Sequence, residues 1–175
     1  MKMKGSLTQS DKLFEVVKDM EGKGKIEVLI DDEGIIQMIA FAMKEMIALY
    51  RQFPELLFID GTYKVNKYNY PLYMILAQDN LGRGWAVFYA FVHSETGDMM
   101  KAVLSSFQNM MEDLSKTCTV MLDKDQNEIA AIRGTLPVAI ILLCRFHVIK
   151  YFKKKVSELL LTVGEKNDCL FNSRL

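Results

Sequence analysis

The chain has 175 residues and a mass of 20.1 kDa, a length that suits one domain with a sizeable core. Its 22 Lys and Arg balance 22 Asp and Glu, which excludes a globally basic nucleic-acid binder but leaves room for a local basic patch. Half of the residues are apolar and a quarter are charged, so a disordered or fibrous chain is also excluded.

Cysteine usage and hydropathy bear on the location of the protein. The three cysteines, Cys118, Cys144 and Cys169, are spaced for neither a disulfide framework nor a zinc ribbon, which favours a reducing, intracellular environment. The most apolar stretch, residues 35–50, is interrupted by polar and charged residues and is too short to cross a bilayer. We therefore expect no membrane association.

The first elements are assigned from local pattern. Residues 1–25 are polar and rich in Gly and Lys, and we expect them to form a flexible leader ahead of a domain at 26–163 and a polar tail at 164–175. Residues 26–30 predict a strand, and residues 31–34 a turn. Apolar residues then recur at helical spacing and predict a buried helix over 35–50, namely Ile36, Ile39, Met43, Met46, Ile47 and Tyr50.

Three consecutive strands are predicted in the middle of the chain. They cover residues 57–63, 72–76 and 85–92, and a Gly- and Asn-containing turn at 79–84 joins the last two into a hairpin. All three are almost continuously apolar, which predicts a sheet covered on both faces.

Helices and strands alternate in the last third. A long helix beginning near Gly97 is followed by a short buried strand at 118–122, a short helix at 126–133 and another buried strand at 138–143. An apolar stripe marks a final helix, with Phe146, Ile149, Phe152, Val156, Leu159, Leu160 and Val163. This order predicts an α/β fold whose mixed sheet has three antiparallel strands, then parallel strands, with helices on both faces.

Two aspartates end predicted strands. Asp60 follows the apolar start of one strand and Asp123 ends the strand after the long helix. Sites in open α/β sheets collect at the carboxyl ends of strands, and two carboxylates there suit Mg²⁺ or Mn²⁺ and two-metal chemistry on a phosphodiester. The alternative is that each aspartate only forms a turn.

A cysteine and a histidine stand at the last strand-to-helix junction. Cys144 and His147 are spaced to share one helix face, but two ligands do not make a zinc site, which usually needs four. Composition alone favours a structural role, with a buried cysteine beside a histidine at the start of a helix. A nucleophile–base pair is the third reading, and no orienting partner or oxyanion hole accompanies it.

The last helix is strongly basic. Lys150, Lys153, Lys154 and Lys155 flank the apolar stripe, with only Glu158 to oppose them. A solvated polar face explains this pattern. A strip that contacts DNA phosphates is the alternative, and the salt dependence of DNA binding separates the two.

Four linked motifs resemble one family. Asp60-Gly61-Thr62-Tyr63 with Asn66 and Pro71-Leu72 resembles the opening signature of the Mutator-like element (MULE) transposase domain. The block at 122–125 with Ala130-Ala131-Ile132 resembles its second acidic block, and Cys144-x-x-His147 its Cys-x-x-His motif. The amino-acid sequence of the first motif is most similar to that of host-domesticated members of the family, the zinc finger SWIM-domain proteins.

The resemblance implies an RNase H-like fold and a DDE-type, two-metal transposase ancestry. It implies that Asp60 and Asp123 are catalytic carboxylates that bind Mg²⁺ or Mn²⁺, with Cys144 and His147 as an auxiliary pair. The family's third carboxylate and SWIM zinc finger have no counterpart in this sequence, so we expect a domain truncated before that carboxylate.

The expected role follows from that truncation. We expect a nuclear, transposase-derived relic that contacts DNA or protein, or self-associates through its last helix, without strand transfer. The alternative is the N-terminal part of an active DDE nuclease. No small-molecule substrate is expected.

Overall fold

The computed structural model describes residues 15, 17–20, 22–62, 70–123 and 126–158. The predicted leader at 1–25 therefore falls largely outside the described residues, and the predicted tail at 164–175 does so entirely, as do Tyr63 and Asn66 of the first motif. In chain order the elements with assigned bounds are β1 (Gly24–Ile30), β2 (Ile36–Met43), α1 (Lys44–Gln52), β3 (Leu56–Thr62), β4 (Leu72–Gln78), β5 (Gly84–Val92), α2 (Gly97–Met111), β6 (Thr119–Leu122), α3 (Gln126–Thr135), β7 (Ile140–Leu143) and α4 (Arg145–Glu158).

The strands form one mixed sheet in the order β1-β2-β5-β4-β3-β6-β7. The neighbours from β1 to β3 are antiparallel, whereas β6 runs parallel to both β3 and β7. The predicted antiparallel strands followed by parallel strands are thus confirmed. The β1–β2 hairpin, which extends the sheet beyond β5, is not predicted from the sequence.

One face of the sheet carries the core. Burial alternates along the strands. In β3, Leu57 and Ile59 are buried, whereas Phe58 and Asp60 point to the other face and are only half-buried. Helices α1, α2 and α3 add their buried residues to the same cluster. At its centre the ring of Phe107 makes edge contacts with those of Tyr50 and Phe88, each with centroids 5.4 Å apart.

The helix predicted over residues 35–50 is wrong in its first half. Residues 36–43 form β2, and only Lys44 onwards is helical. The buried positions are Met38, Ala40 and Ala42, which repeat every second residue, as a strand requires. The apolar residues between them lie on the half-buried face. Because both faces carry apolar residues, the period-2 signal is hidden in the sequence.

The opposite face of the sheet is less covered. Helix α4 begins on this side, next to Asp60, so helices occur on both faces, but α4 contributes no buried residue. The prediction that 138–143 form a buried strand is wrong in its burial, since β7 is an edge strand and the side chain of Ile140 is 63% exposed. In the predicted apolar stripe of the last helix, Phe146 and Phe152 are 66% and 55% exposed, and Ile149 and Val156 are half-buried. The other three members of the stripe, Leu159, Leu160 and Val163, lie outside the described residues.

A lysine joins the hairpin to the helical layer. The Lys25 ammonium of β1 donates to the Met110 carbonyl oxygen at the end of α2 (2.9 Å) and to Glu112 Oε1 (2.6 Å). Arg51 of α1 pairs with the other Glu112 oxygen at 3.1 Å. Among the described residues Glu112 is the one non-glycine with positive φ, at 72°. Three elements are therefore linked where α2 ends.

No helix in the described part of the chain is long and apolar enough to cross a membrane.

Candidate functional site

The two predicted carboxylates come from neighbouring parallel strands. In the β3–β6 pair Phe58 lies opposite Met121. Asp60 and Asp123 each stand two residues further along the chain, so they occupy matching positions at the carboxyl edge of the sheet. Adjacent strands lie about 4.8 Å apart, which brings these two backbone positions close together. Both side chains line one cleft.

The junction between β7 and α4 lies at the same edge. Leu143 is opposite Leu122, and the next amide, that of Cys144, donates to the Leu122 carbonyl oxygen at 2.7 Å. The chain then turns at once into α4, whose first turn is closed by the Val148 amide and the Cys144 carbonyl at 3.0 Å. Cys144 thus continues the row that Asp60 and Asp123 begin.

Helix α4 carries His147 back towards the first carboxylate. His147 Nε2 lies 3.9 Å from Asp60 Oδ1, too far for a hydrogen bond but close enough for an ion pair when the imidazole is protonated. The His147 and Asp60 side chains are 25% and 42% exposed. His147 Nδ1 is buried and has no hydrogen-bond partner among the described residues. The Thr62 hydroxyl lies 3.4 Å from the second Asp60 oxygen.

A polar cleft of about 280 Å³ opens at the strand ends. The N-termini of α2 and α3 form part of its wall, and at α2 the Thr96 hydroxyl caps the helix by accepting from the Met99 amide at 3.3 Å. Four acidic side chains line it. The lining residues are Asp60, Gly61, Tyr73, Glu95, Thr96, Met100, Asp123, Asn127, Glu128 and His147.

A second, apolar cleft of about 330 Å³ lies on the half-buried face of the sheet. It shares Asp60 and His147 with the polar cleft, so these two side chains stand between the two spaces. The lining residues are Phe58, Ile59, Asp60, Leu76, Gln78, Gly82, Gly84, Met121, Cys144 and His147.

The polar cleft has the right donor atoms for a divalent cation but an incomplete set. Carboxylate oxygens are the ligands that Mg²⁺ and Mn²⁺ prefer, and Asp60 and Asp123 are the residues that would hold such an ion. Within the described ranges no three His, Cys, Asp or Glu side chains are grouped so that they could enclose a metal ion. Among the residues that the structure describes, Asp60 and Asp123 therefore form a partial cation site.

Residues 15–142 match the family model described as the RNaseH-like domain of zinc finger SWIM domain-containing protein 1/3. This match covers well over half of the chain. The chain belongs to that family. The matched range contains Asp60 and Asp123 and stops just short of Cys144 and His147. It agrees with the RNase H-like mixed sheet and with the predicted relation to SWIM-domain proteins.

The basic residues of α4 lie outside the matched range of this family. Lys150, Lys153, Lys154 and Lys155 are all exposed. Lys155 pairs with Glu158 at 2.7 Å, which raises the pKa of its ammonium. The side chains of the other three have no ion-pair partner among the described residues. Lys150 and Lys154 share the face of α4 that carries His147, being three and seven residues beyond it.

The structure adds acidic residues that sequence reasoning did not select. Glu95 precedes the N-terminus of α2, and Glu128 lies in the first turn of α3. Both line the polar cleft with Asp60 and Asp123. The signal that could have found them was their position, because the helices that follow β5 and β6 begin at the carboxyl ends of those strands, where the candidate site lies.

Proposed function

We propose that this chain is a host-domesticated, transposase-derived RNase H-like domain that acts in the nucleus by contacting DNA through α4, without strand transfer. Membership of the RNase H-like family supports the ancestry. The arrangement of charge on α4 supports the contact with DNA.

The observation that carries this proposal is the exposure of the basic side chains of α4. No residue of the helix is buried, and it holds five Lys and Arg against one carboxylate. A cationic strip of this kind neutralises DNA phosphates and releases their counterions.

The partial cation site supports the absence of strand transfer. Two-metal phosphoryl transfer needs both ions and the attacking group aligned, and this alignment depends on a full set of ligands. Asp60 and Asp123 supply two carboxylates, and among the described residues no three such side chains are grouped as a metal site would need. We infer that this edge of the sheet retains the geometry of its ancestry without the activity.

The test is the salt dependence of binding to a labelled DNA duplex. Replacing Lys150, Lys153, Lys154 and Lys155 by Gln should lower the affinity and flatten the plot of log K against log salt by about 0.9 for each phosphate that the variant no longer neutralises. The matched control removes four exposed lysines elsewhere, Lys18, Lys44, Lys101 and Lys116, and should leave the slope nearly unchanged. Equal slopes for the two variants would overturn the proposal.

The alternative is an N-terminal part of a DDE-type nuclease, favoured by the adjacent positions of Asp60 and Asp123. It requires nicking of supercoiled DNA that depends on Mn²⁺ and is lost in both Asp60→Ala and Asp123→Ala. Our proposal expects no nicking by the wild-type chain at any Mn²⁺ concentration. Nicking that survives in both variants would come from a contaminant and support neither.

A further inference from the structure

We infer that the apolar cleft accepts a nucleobase of single-stranded DNA whose phosphates run along the His147, Lys150 and Lys154 face of α4. The inference rests on the proposed contact of α4 with DNA and adds a binding pocket for one part of that ligand. It arises from the position of the two clefts on either side of His147.

The cleft has the size and lining that a flat, largely apolar ring needs. Its volume is about 330 Å³, and Phe58, Leu76 and Met121 offer an aromatic ring, an aliphatic chain and a thioether. Rings and sulfur of this kind make favourable contacts with π-systems. A mostly apolar pocket with a few polar groups at its border is the usual form of a site for an organic ligand.

One polar group at the border suits the edge of a base. The Gln78 side-chain nitrogen donates to the Gly82 carbonyl oxygen at 3.1 Å, which fixes the amide. The Gln78 amide oxygen accepts no hydrogen bond from the described residues. Exocyclic amino groups of bases are donors that such an oxygen accepts, and amides are common partners of bases.

Glycine keeps the cleft open on its hairpin side. A Cβ placed on Gly84 would meet Leu76 Cδ2 at 3.6 Å, an ordinary contact. Alanine therefore fits at this position, whereas a longer side chain would extend into the space. Gly84→Ala and Gly84→Leu therefore test the cleft with a small and a large side chain at the same position.

The positive charge of α4 beside the cleft favours a ligand that carries phosphates. His147 lines the cleft, and Lys150 and Lys154 follow it on the same face of α4 over about 10 Å, enough for two successive phosphates. An anionic chain that also carries flat rings satisfies both surfaces. A base in a duplex enters a cleft only after it is unpaired and unstacked, which costs free energy, whereas a base of a single strand enters without that cost.

The experiment compares three labelled ligands of about ten nucleotides by fluorescence anisotropy: a single strand, the same strand with abasic residues at its centre, and a duplex. The wild-type chain should bind the intact strand about tenfold more tightly than the abasic strand, because stacking of a base contributes on this scale. Gly84→Leu should abolish this preference and leave the affinity for the abasic strand unchanged, and Gly84→Ala should retain the preference.

The outcomes separate this inference from the proposed function. Equal affinity of the wild-type chain for intact and abasic strands, with the lysine dependence intact, overturns the cleft as a base pocket and leaves the contact with DNA standing. Binding of no DNA, or binding that the α4 lysines do not affect, overturns both. If Gly84→Leu fails to fold by its thermal melt, Met121→Trp fills the cleft from β6, and retention of the base preference in that variant also overturns the inference.

Discussion

The carboxylate of Asp79 organises the turn between β4 and β5. It accepts hydrogen bonds from the amides of Leu81 and Arg83, each at 2.9 Å, from Arg83 Nε at 2.8 Å and from the Trp85 indole at 3.0 Å. Its side chain is only 2% exposed. The indole hydrogen bond, with those from Arg83 and Leu81, holds the pKa of this carboxyl far below its usual range despite the opposing effect of desolvation.

The lowered pKa of Asp79 predicts a loss of stability in acid. A carboxylate whose pKa is depressed by folding stabilises the native state above the unfolded-state pKa of about 4, and this contribution fades as the pH falls towards the folded-state value. In Asp79→Asn we expect a lower melting temperature at pH 7 by several degrees. We also expect a smaller further loss than in the wild type between about pH 4 and pH 2. The exposed turn residue Asp32, changed to Asn, is the control and should follow the wild type.

Sequence reasoning finds the residues at strand ends more easily than those near helix starts. Asp60 and Asp123 follow apolar strands directly, so their place at one edge of the sheet can be worked out from the order of elements. Glu95 and Glu128 lie near helix starts, where acidic residues are common for reasons of capping alone. What distinguishes them is that α2 and α3 begin at the carboxyl ends of β5 and β6, beside the candidate site.

At the scale of elements, burial separates correct predictions from incorrect ones. The sequence predicts helix α2 because its buried residues, such as Val103 and Phe107, repeat at helical spacing on one face only. Strand β2 resembles a helix in sequence because apolar residues occupy both of its faces, with Met38 and two alanines on the buried one. Strand β7 is predicted as a strand, but its exposure follows from its place at the edge, which local sequence does not reveal.

The burial of β2 predicts the effect of a larger side chain at Ala40. This residue is fully buried on the face that the helices cover, so Ala40→Leu should lower the free energy of unfolding by about 1–3 kcal/mol through overpacking. On an exposed helix the same change would be nearly neutral, and Ala48→Leu on α1 provides that control. Urea unfolding measures both. A neutral Ala40→Leu would contradict the assignment of this stretch to a buried strand.

The partly exposed apolar stripe of α4 predicts self-association. Ile149, Phe152 and Val156 share the side of the helix opposite to His147, and Phe152 is more than half exposed. We expect the apparent mass in light-scattering chromatography to rise with protein concentration, and Phe152→Glu to suppress that rise without lowering the melting temperature. Ser105→Glu on α2 adds the same charge elsewhere. A monomeric wild type at all concentrations would count against this stripe as a contact surface.

At the scale of the whole molecule, the candidate site depends on elements far apart in the chain. Asp60 comes from β3 and Asp123 follows β6, with the β4–β5 hairpin and α2 between them. Two carboxylates held close together repel, and a cation bound only by the folded protein relieves this repulsion and stabilises the fold.

Divalent cations should therefore raise the melting temperature. At a Mn²⁺ concentration about tenfold above its dissociation constant, we expect a rise of about 3–6 °C. Both Asp60→Asn and Asp123→Asn should abolish this rise, and each should melt higher than the wild type in the absence of metal. Asp98→Asn, an exposed carboxylate paired with Lys101, is the control. An unchanged melt of the wild type at millimolar Mn²⁺ would show that the two carboxylates do not act together.

The order of the strands also sets an order of events during folding. The β1–β2 and β4–β5 hairpins join segments that are close in sequence, whereas β3 meets β6 only after the intervening chain has formed a large loop. Closing such loops costs entropy before any contact repays it, so parallel pairing is slow. In pulse-labelling hydrogen exchange we expect the hairpin amides to be protected first and those of β6 last. Asp60 and Asp123 therefore become neighbours only at the end of folding. Intermediates in which β3 and β6 are still unpaired lack the candidate site.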